Sequence, residues 1–233
     1  MRIGEVLGEA WSLYTRFLGR FFLTALVVFA ALDLLSALAS TAGGSWWRAL
    51  WGLIAVVVGV VGLFWVQAAL VETVNDVRDG RADRSIGETF ETVRPVLVTA
   101  TVAGIVAAIG IAIGFVLLIV PGLYLLTIWS MLIPVIVLER RSVEEAFGRS
   151  REIVRGNGWP VFGLILVTFV IVAIASLLIQ AAFSPLPDFL GNWLGSLIAD
   201  SLTVPFAAAA LATAYFHLVG QREAAPAAEP TPP

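Results

Sequence analysis

The 233-residue chain contains no cysteine and no lysine, and it has a single histidine, His217. Without cysteine there are no disulfide bonds and no thiolate metal sites. A lone histidine leaves no second imidazole to complete a metal site, and no nucleophile is well placed for a Ser-His-acid triad. The formal net charge of −3 is too small to favour nucleic acid as a partner. We therefore expect no metal, no cofactor and no catalytic residues.

Charged residues are scarce as well, at 13% of the chain, whereas hydrophobic residues make up 59% and the mean hydropathy is +0.94. A soluble domain averages about 25% charged and about 45–50% apolar residues. A water-soluble domain of this size cannot bury so much apolar surface, so the composition predicts a protein whose solvent is lipid. The first apolar block follows Arg16 and Arg20 and lacks the features of a cleavable signal peptide, so we expect it to be retained as an anchor.

Six apolar blocks are each long enough to cross the roughly 30 Å hydrocarbon core as a helix. The third and fourth blocks share one uncharged stretch from Pro95 to Leu138, and Pro121-Gly122 is expected to divide it by a very tight turn. The predicted fold is all-α, with six transmembrane helices in a single membrane domain, residues 1–220, and a disordered cytoplasmic tail at 221–233. The spans are predicted at about 21–39, 50–70, 95–119, 122–138, 159–183 and 193–218.

The distribution of arginine predicts the topology. Every arginine except Arg48 falls in one of four segments on the same side of the predicted spans. These segments are the N-terminus, the connection between spans two and three, the connection between spans four and five, and the tail. Because positively charged loops remain in the cytoplasm, we expect both termini to be cytoplasmic in a multi-pass protein of the bacterial inner membrane.

Three segments among these arginines resemble one another. Residues 3–8, 86–91 and 143–148 align without gaps, and each stands shortly before an odd-numbered span. Their apolar residues follow the spacing of an amphipathic helix. We interpret each segment as an interfacial helix that precedes a hairpin of two spans, so that three helix-plus-hairpin repeats form the bundle. Their apolar faces either dock against the bundle and the lipid surface or bind another membrane or peripheral protein.

A set of residues between Leu118 and Phe162 carries a family resemblance. They are Pro121, Gly122, Tyr124, Pro134, Glu139, Ser150, Gly156 and Trp159. In this pattern the chain resembles the membrane domain found beside glycerophosphoryl diester phosphodiesterases, together with its free-standing bacterial relatives. The resemblance implies an integral membrane module rather than the catalytic half, because the soluble enzyme's signature needs histidines and clustered acids that bind a divalent metal.

Four polar residues lie on the side of the spans opposite the arginine segments, namely Asp33, Arg48, Gln180 and Asp200. Charged groups inside a span are costly to bury and are candidate functional residues. These four either form an outward-facing cavity for a headgroup or an ion, or lie at hydrated span ends. The leading hypothesis is a non-enzymatic lipid-interacting or scaffolding module with membrane lipids as partners. The alternative is a small transporter or permease for a lipid-like or small solute that uses Asp33 and Asp200.

Overall fold

The computed structural model describes residues 1–41 and 45–223; the side chains of 33–41, 45, 48, 188, 189 and 192 lie outside that description. Within these ranges every regular element is helical, and the prediction of an all-α chain is confirmed. A single 3-10 turn at Arg94–Val96 joins the fourth and fifth α-helices. In chain order the α-helices are α1 (Ile3–Arg16), α2 (Leu18–Thr41), α3 (Ser45–Val77), α4 (Ile86–Val93), α5 (Leu97–Leu117), α6 (Ile119–Ile128), α7 (Leu132–Glu139), α8 (Val143–Val154), α9 (Gly158–Phe183) and α10 (Asp188–Glu223).

The described residues contain five helical segments that are long and apolar enough to cross a membrane. A sixth arises if α1 and the start of α2, which meet at an angle of 80°, are taken together. Five to six such helices are the mark of a multi-pass membrane protein. The five segments are Ala49–Val77, Ile86–Leu117, Ile119–Glu139, Gly158–Phe183 and Trp193–Glu223.

The long uncharged stretch between residues 95 and 138 is interrupted at two places. The turn between α5 and α6 lies at Leu118, whose backbone is extended, and not at Pro121-Gly122 as the sequence suggested. Pro121 is instead the third residue of α6, and Pro134 is the third residue of α7. The first four N–H groups of a helix have no partner inside that helix, so proline is tolerated at both positions.

Glycines allow α5 and α6 to approach each other closely. A Cβ atom on Gly114 would lie 3.0 Å from the backbone of Gly122, and one on Gly110 would lie 2.7 Å from the ring of Trp129. A side chain at Gly114 would push the two helices apart, and one at Gly110 would displace the ring of Trp129, which directly follows α6. The hairpin that these helices form is therefore set by backbone-to-backbone packing, as is common between helices in membranes.

The buried core is concentrated toward one end of the bundle, where the C-terminal halves of α3 and α10 pack with α1, α4, α7 and α8. We call this the polar end, because the ion pairs Arg20–Asp76 and Arg84–Glu72 also lie there. Val66, Leu70 and Val74 of α3 are fully buried there, whereas Leu53 and Val56 of the same helix are 62% and 63% exposed. The helix α10 remains regular through Glu223, and the rest of the predicted tail, residues 224–233, lies outside the described residues.

Candidate functional site

The break between α6 and α7 is closed by a side chain from another helix. Ser150 of α8 is fully buried. Its hydroxyl donates to the carbonyl of Ile128 at 2.7 Å and accepts from the backbone N–H of Met131 at 3.2 Å. The interruption leaves the carbonyl of Ile128 and the N–H of Met131 without partners inside a helix, and burying such groups unpaired is costly. The Ser150 hydroxyl provides a partner for both.

Glu139, at the end of α7, joins three helices. Its two carboxylate oxygens each accept from Nε of Arg149 on α8 at 3.0 Å, and the hydroxyl of Tyr215 on α10 donates to it at 2.9 Å. Arg149 also pairs with Glu152, at 3.1 Å. Hydrogen bonds to a charged group are stronger than those between neutral groups, so Glu139 ties α7 and α8 to the core of the bundle.

The N-terminus of α8 is capped by two neighbouring side chains. The hydroxyl of Ser142 accepts from the backbone N–H of Glu145, while the carboxylate of Glu145 accepts from the backbone N–H of Ser142, which is a capping box. The backbone hydrogen bond and the hydroxyl of Ser142 lower the pKa of the Glu145 carboxyl group. Ser85 and Glu88 form the same arrangement at the start of α4.

Other ion pairs attach the remaining helices at the polar end. Arg20 of α2 lies 2.8 Å from Asp76 of α3, and both side chains are largely buried. Nε2 of His217 on α10 lies 2.6 Å from the carboxylate of Glu9 on α1. A buried pair that loses one partner leaves an uncompensated charge, so the Arg20–Asp76 pair is the costlier of the two to break.

A cavity of ≈ 500 Å³ opens among these groups, between α3, α4, α7 and α10. Arg78, Arg84 and Arg140 line it. Arg84 pairs with Glu72, and the guanidinium of Arg78 stacks 3.7 Å from the centre of the Phe216 ring.

Arg140 has an uncommon backbone conformation for a residue with a side chain. Its φ of 56° is left-handed, and it ends α7 and turns the chain toward α8. Its guanidinium donates to the carbonyl of Thr92, at 3.0 Å. Each of these three arginines thus has a partner within the chain. Their contacts join the helices around the cavity rather than bind a ligand.

The structure describes the side chains of two of the four polar residues that the sequence grouped. Asp33 and Arg48 lie outside the described side chains. Asp200 is half-buried on α10 and Gln180 is exposed on α9. Among the side chains that the structure describes, Asp200 has no hydrogen-bond or ion-pair partner. Sequence reasoning missed Tyr215, because nothing local indicates that a tyrosine in an apolar block contacts a glutamate 76 positions away.

The residues of the family motif fall into two groups. The first group shapes and holds the interrupted segment and consists of Pro121, Gly122, Pro134, Glu139 and Ser150. Tyr124 on α6 and Trp159 on α9 are instead exposed, and with Gly156, whose φ is +84°, they surround the region where α8 leads into α9.

Replacing Ser150 by alanine tests the role of its hydroxyl. We expect Ser150→Ala to lower the free energy of unfolding by about 1–3 kcal/mol, because two buried backbone groups lose their partner. Unfolding by SDS in mixed micelles, followed by tryptophan fluorescence, measures the change. Ser12→Ala, on the exposed face of α1, is the control and is expected to stay within about 0.5 kcal/mol of wild type. Equal effects of the two substitutions would contradict the assignment.

Comparison with known proteins gives one match. No curated protein and no solved structure matches the chain. Residues 6–218 match a family model described as "Domain of unknown function (DUF7847)". The match covers α2 to α9 in full, α1 from Val6 onward and α10 as far as Leu218. The chain belongs to the family described as a domain of unknown function, DUF7847.

Proposed function

We propose that the protein is a non-enzymatic integral membrane protein that acts as a lipid-interacting or scaffolding module. The observation that carries the proposal is the exposed apolar surface of the long helices beyond the polar end. Leu53 and Val56 of α3, Val116 of α5 and Phe169 of α9 all face outward. Soluble monomers rarely expose contiguous apolar surface on this scale, so lipid or another apolar protein surface must cover it.

Three helix-plus-hairpin units are the arrangement that we propose for the bundle. The third residue of each short helix is a glutamate, at Glu5, Glu88 and Glu145. Two of the three complete a capping box, and Glu5 instead pairs with Arg2 at the first N-cap. The same local device at the aligned positions supports a common origin for the three units. The proposed relationship to the membrane domain of glycerophosphoryl diester phosphodiesterases rests on the motif residues of α6 to α9.

The proposal places the polar end in the cytoplasm of a bacterial cell, because the arginines surround it. We expect alkaline phosphatase fused after Gly44 to be active and the same enzyme fused after Gly80 to be inactive. Periplasmic activity assays in intact cells measure both, and a cytoplasmic β-galactosidase fused at the same two positions is the control. The reverse pattern of activities would overturn the orientation.

The short helices differ in how far their aromatic side chains are exposed to a partner or to the lipid surface. Phe147 of α8 is partly buried and packs against Trp129, with the ring centres 5.0 Å apart, so its substitution would disturb the packing around the core. Trp11 of α1 touches Phe206 but remains 56% exposed. Trp11 is therefore the better probe of an interfacial surface, since its substitution disturbs less of the packing.

Lipid retention by the purified chain tests the lipid-interacting role. We expect wild type to keep bound phospholipid through detergent purification and to unfold at higher temperature when phospholipid is added back. The variant Trp11→Glu is expected to retain about half as much lipid or less, because a carboxylate is costly at the headgroup boundary. Ser12→Glu, on the neighbouring exposed position, is the charge-matched control. A wild-type protein that holds no lipid and does not respond to lipid would remove the basis of the proposal.

A small transporter is the second candidate, and one observation favours it. Asp200 is half-buried in a helix that could span the membrane, and the buried hydroxyl of Ser201 beside it also has no hydrogen-bond partner among the described residues. Unpaired polar groups at membrane depth mark solute and proton paths.

Flux measurements separate this candidate from the first. In proteoliposomes loaded with a pH-sensitive or sodium-sensitive dye, a transporter with Asp200 in its path should lose flux when Asp200→Asn is introduced. Asp79→Asn, on the exposed connection after α3, should transport like wild type. Identical behaviour of the two variants, or no flux in wild type, would reject a proton or sodium path through Asp200.

A further inference from the structure

A groove with two chemically different parts runs along α6, α8 and the start of α9. Its apolar part, of ≈ 420 Å³, is walled by Leu123 of α6 and by Trp159 and Phe162 of α9. All three residues belong to helical segments long and apolar enough to cross a membrane, Ile119–Glu139 and Gly158–Phe183. Trp159 is 84% exposed, so this part of the groove is open to whatever surrounds the helices.

The second part of the groove, of ≈ 630 Å³, is basic, and it contains Arg151 of α8 and Arg155, the residue that directly follows α8. Both parts are lined by Tyr124, Ile128 and Gly158, so they are continuous. Arg151 and Arg155 are four residues apart, and side chains at that spacing lie on the same face of a helix. A ligand that fits both parts must therefore have an apolar body and an anionic head.

The charge in the basic part is not neutralised by the protein. Among the described residues, no carboxylate lies within 4.0 Å of either Arg151 or Arg155. Glu152 lines the same cavity, but its carboxylate pairs with Arg149 at 3.1 Å and with Arg222 at 3.9 Å. The groove consequently differs from the cavity lined by Arg78, Arg84 and Arg140, where each guanidinium has a partner within the chain.

Glycines keep the floor of the groove open. A Cβ atom on Gly148 or Gly158 would meet no heavy atom within 4 Å. Gly156, with φ +84°, reverses the chain between α8 and α9, a conformation that glycine adopts without steric cost. This reversal brings Arg155 and Trp159 to the same groove.

We propose that the groove binds one anionic glycerophospholipid, with its phosphate between Arg151 and Arg155 and an acyl chain along Trp159 and Phe162. This inference rests on the proposed lipid-interacting function and names the lipid class and its site. Guanidinium groups bind phosphate oxygens in a bidentate manner. A peptide would bring backbone N–H and C=O groups into the apolar part, where they would have no partners, and free phosphate would leave that part unfilled.

Native mass spectrometry of the full chain tests the proposal. The protein is purified in detergent, incubated with equal amounts of phosphatidylglycerol and phosphatidylcholine, and the lipid that remains bound is identified. Wild type should retain phosphatidylglycerol in preference to phosphatidylcholine. The double variant Arg151→Gln, Arg155→Gln should lose that preference, with at least about a tenfold drop in bound phosphatidylglycerol.

Two further variants distinguish the groove from general surface charge. The double variant Arg2→Gln, Arg81→Gln removes two exposed arginines that lie outside the groove and should keep the wild-type preference. Gly158→Leu fills the point shared by the two parts without changing charge, and it should reduce the binding of both lipids. Circular dichroism and size exclusion confirm that each variant is folded and monodisperse.

The outcomes separate this proposal from the broader one. Wild type that binds both lipids equally contradicts the anionic site but leaves the lipid-interacting function standing. Wild type that binds neither lipid contradicts both. Equal loss in the two double variants shows attraction to surface charge and rejects the groove, as does normal binding by Gly158→Leu. Dimers that persist when lipid is added and that are lost in Gly158→Leu would assign the groove to self-association and overturn the proposal.

Discussion

An interrupted helix inside an apolar bundle must find partners for the backbone groups that it frees, and much of this molecule depends on how that requirement is met between α6 and α7. Ser150 meets it from a different helix, which fixes α8 against the start of α7. With α8 held there, Arg149 reaches Glu139, and Glu139 in turn reaches Tyr215 of α10. A single hydroxyl thus sets the position from which a network of charged hydrogen bonds extends through the polar end.

The arginines serve two physical purposes once the helices are in place. Some are used inside the protein: Arg20 pairs with Asp76, Arg84 with Glu72, and Arg149 with Glu139. These pairs neutralise carboxylates that would be costly to leave alone beside an apolar core. Arg151 and Arg155 have no such partner in the described part of the chain. Arginine is therefore characteristic of the whole proposed cytoplasmic side. At Arg151 and Arg155 its positive charge remains available to a lipid phosphate.

The apolar blocks were predictable because hydropathy and length are local properties. The described residues contain five to six helical segments that are long and apolar enough to cross a membrane, and Ser85 with Glu88 and Ser142 with Glu145 form capping boxes that a short motif can indicate. The turn in the long uncharged stretch was not predictable in the same way. Proline and glycine at 121–122 suggested a turn there, yet the chain turns at Leu118, since a proline is equally well placed in the first turn of a helix.

The sequence alone determined that the chain is helical, that it has segments apolar enough to cross a membrane, and which segments carry the charge, because these follow from residue type and spacing. Only the tertiary structure decided which arginines are paired and which are free. That distinction depends on carboxylates that other helices bring to the arginines, as with Glu139 of α7 and Arg149 of α8, or Asp76 of α3 and Arg20 of α2. Ion pairs act over a few ångströms, so their selection requires the packing of helices that no local pattern encodes.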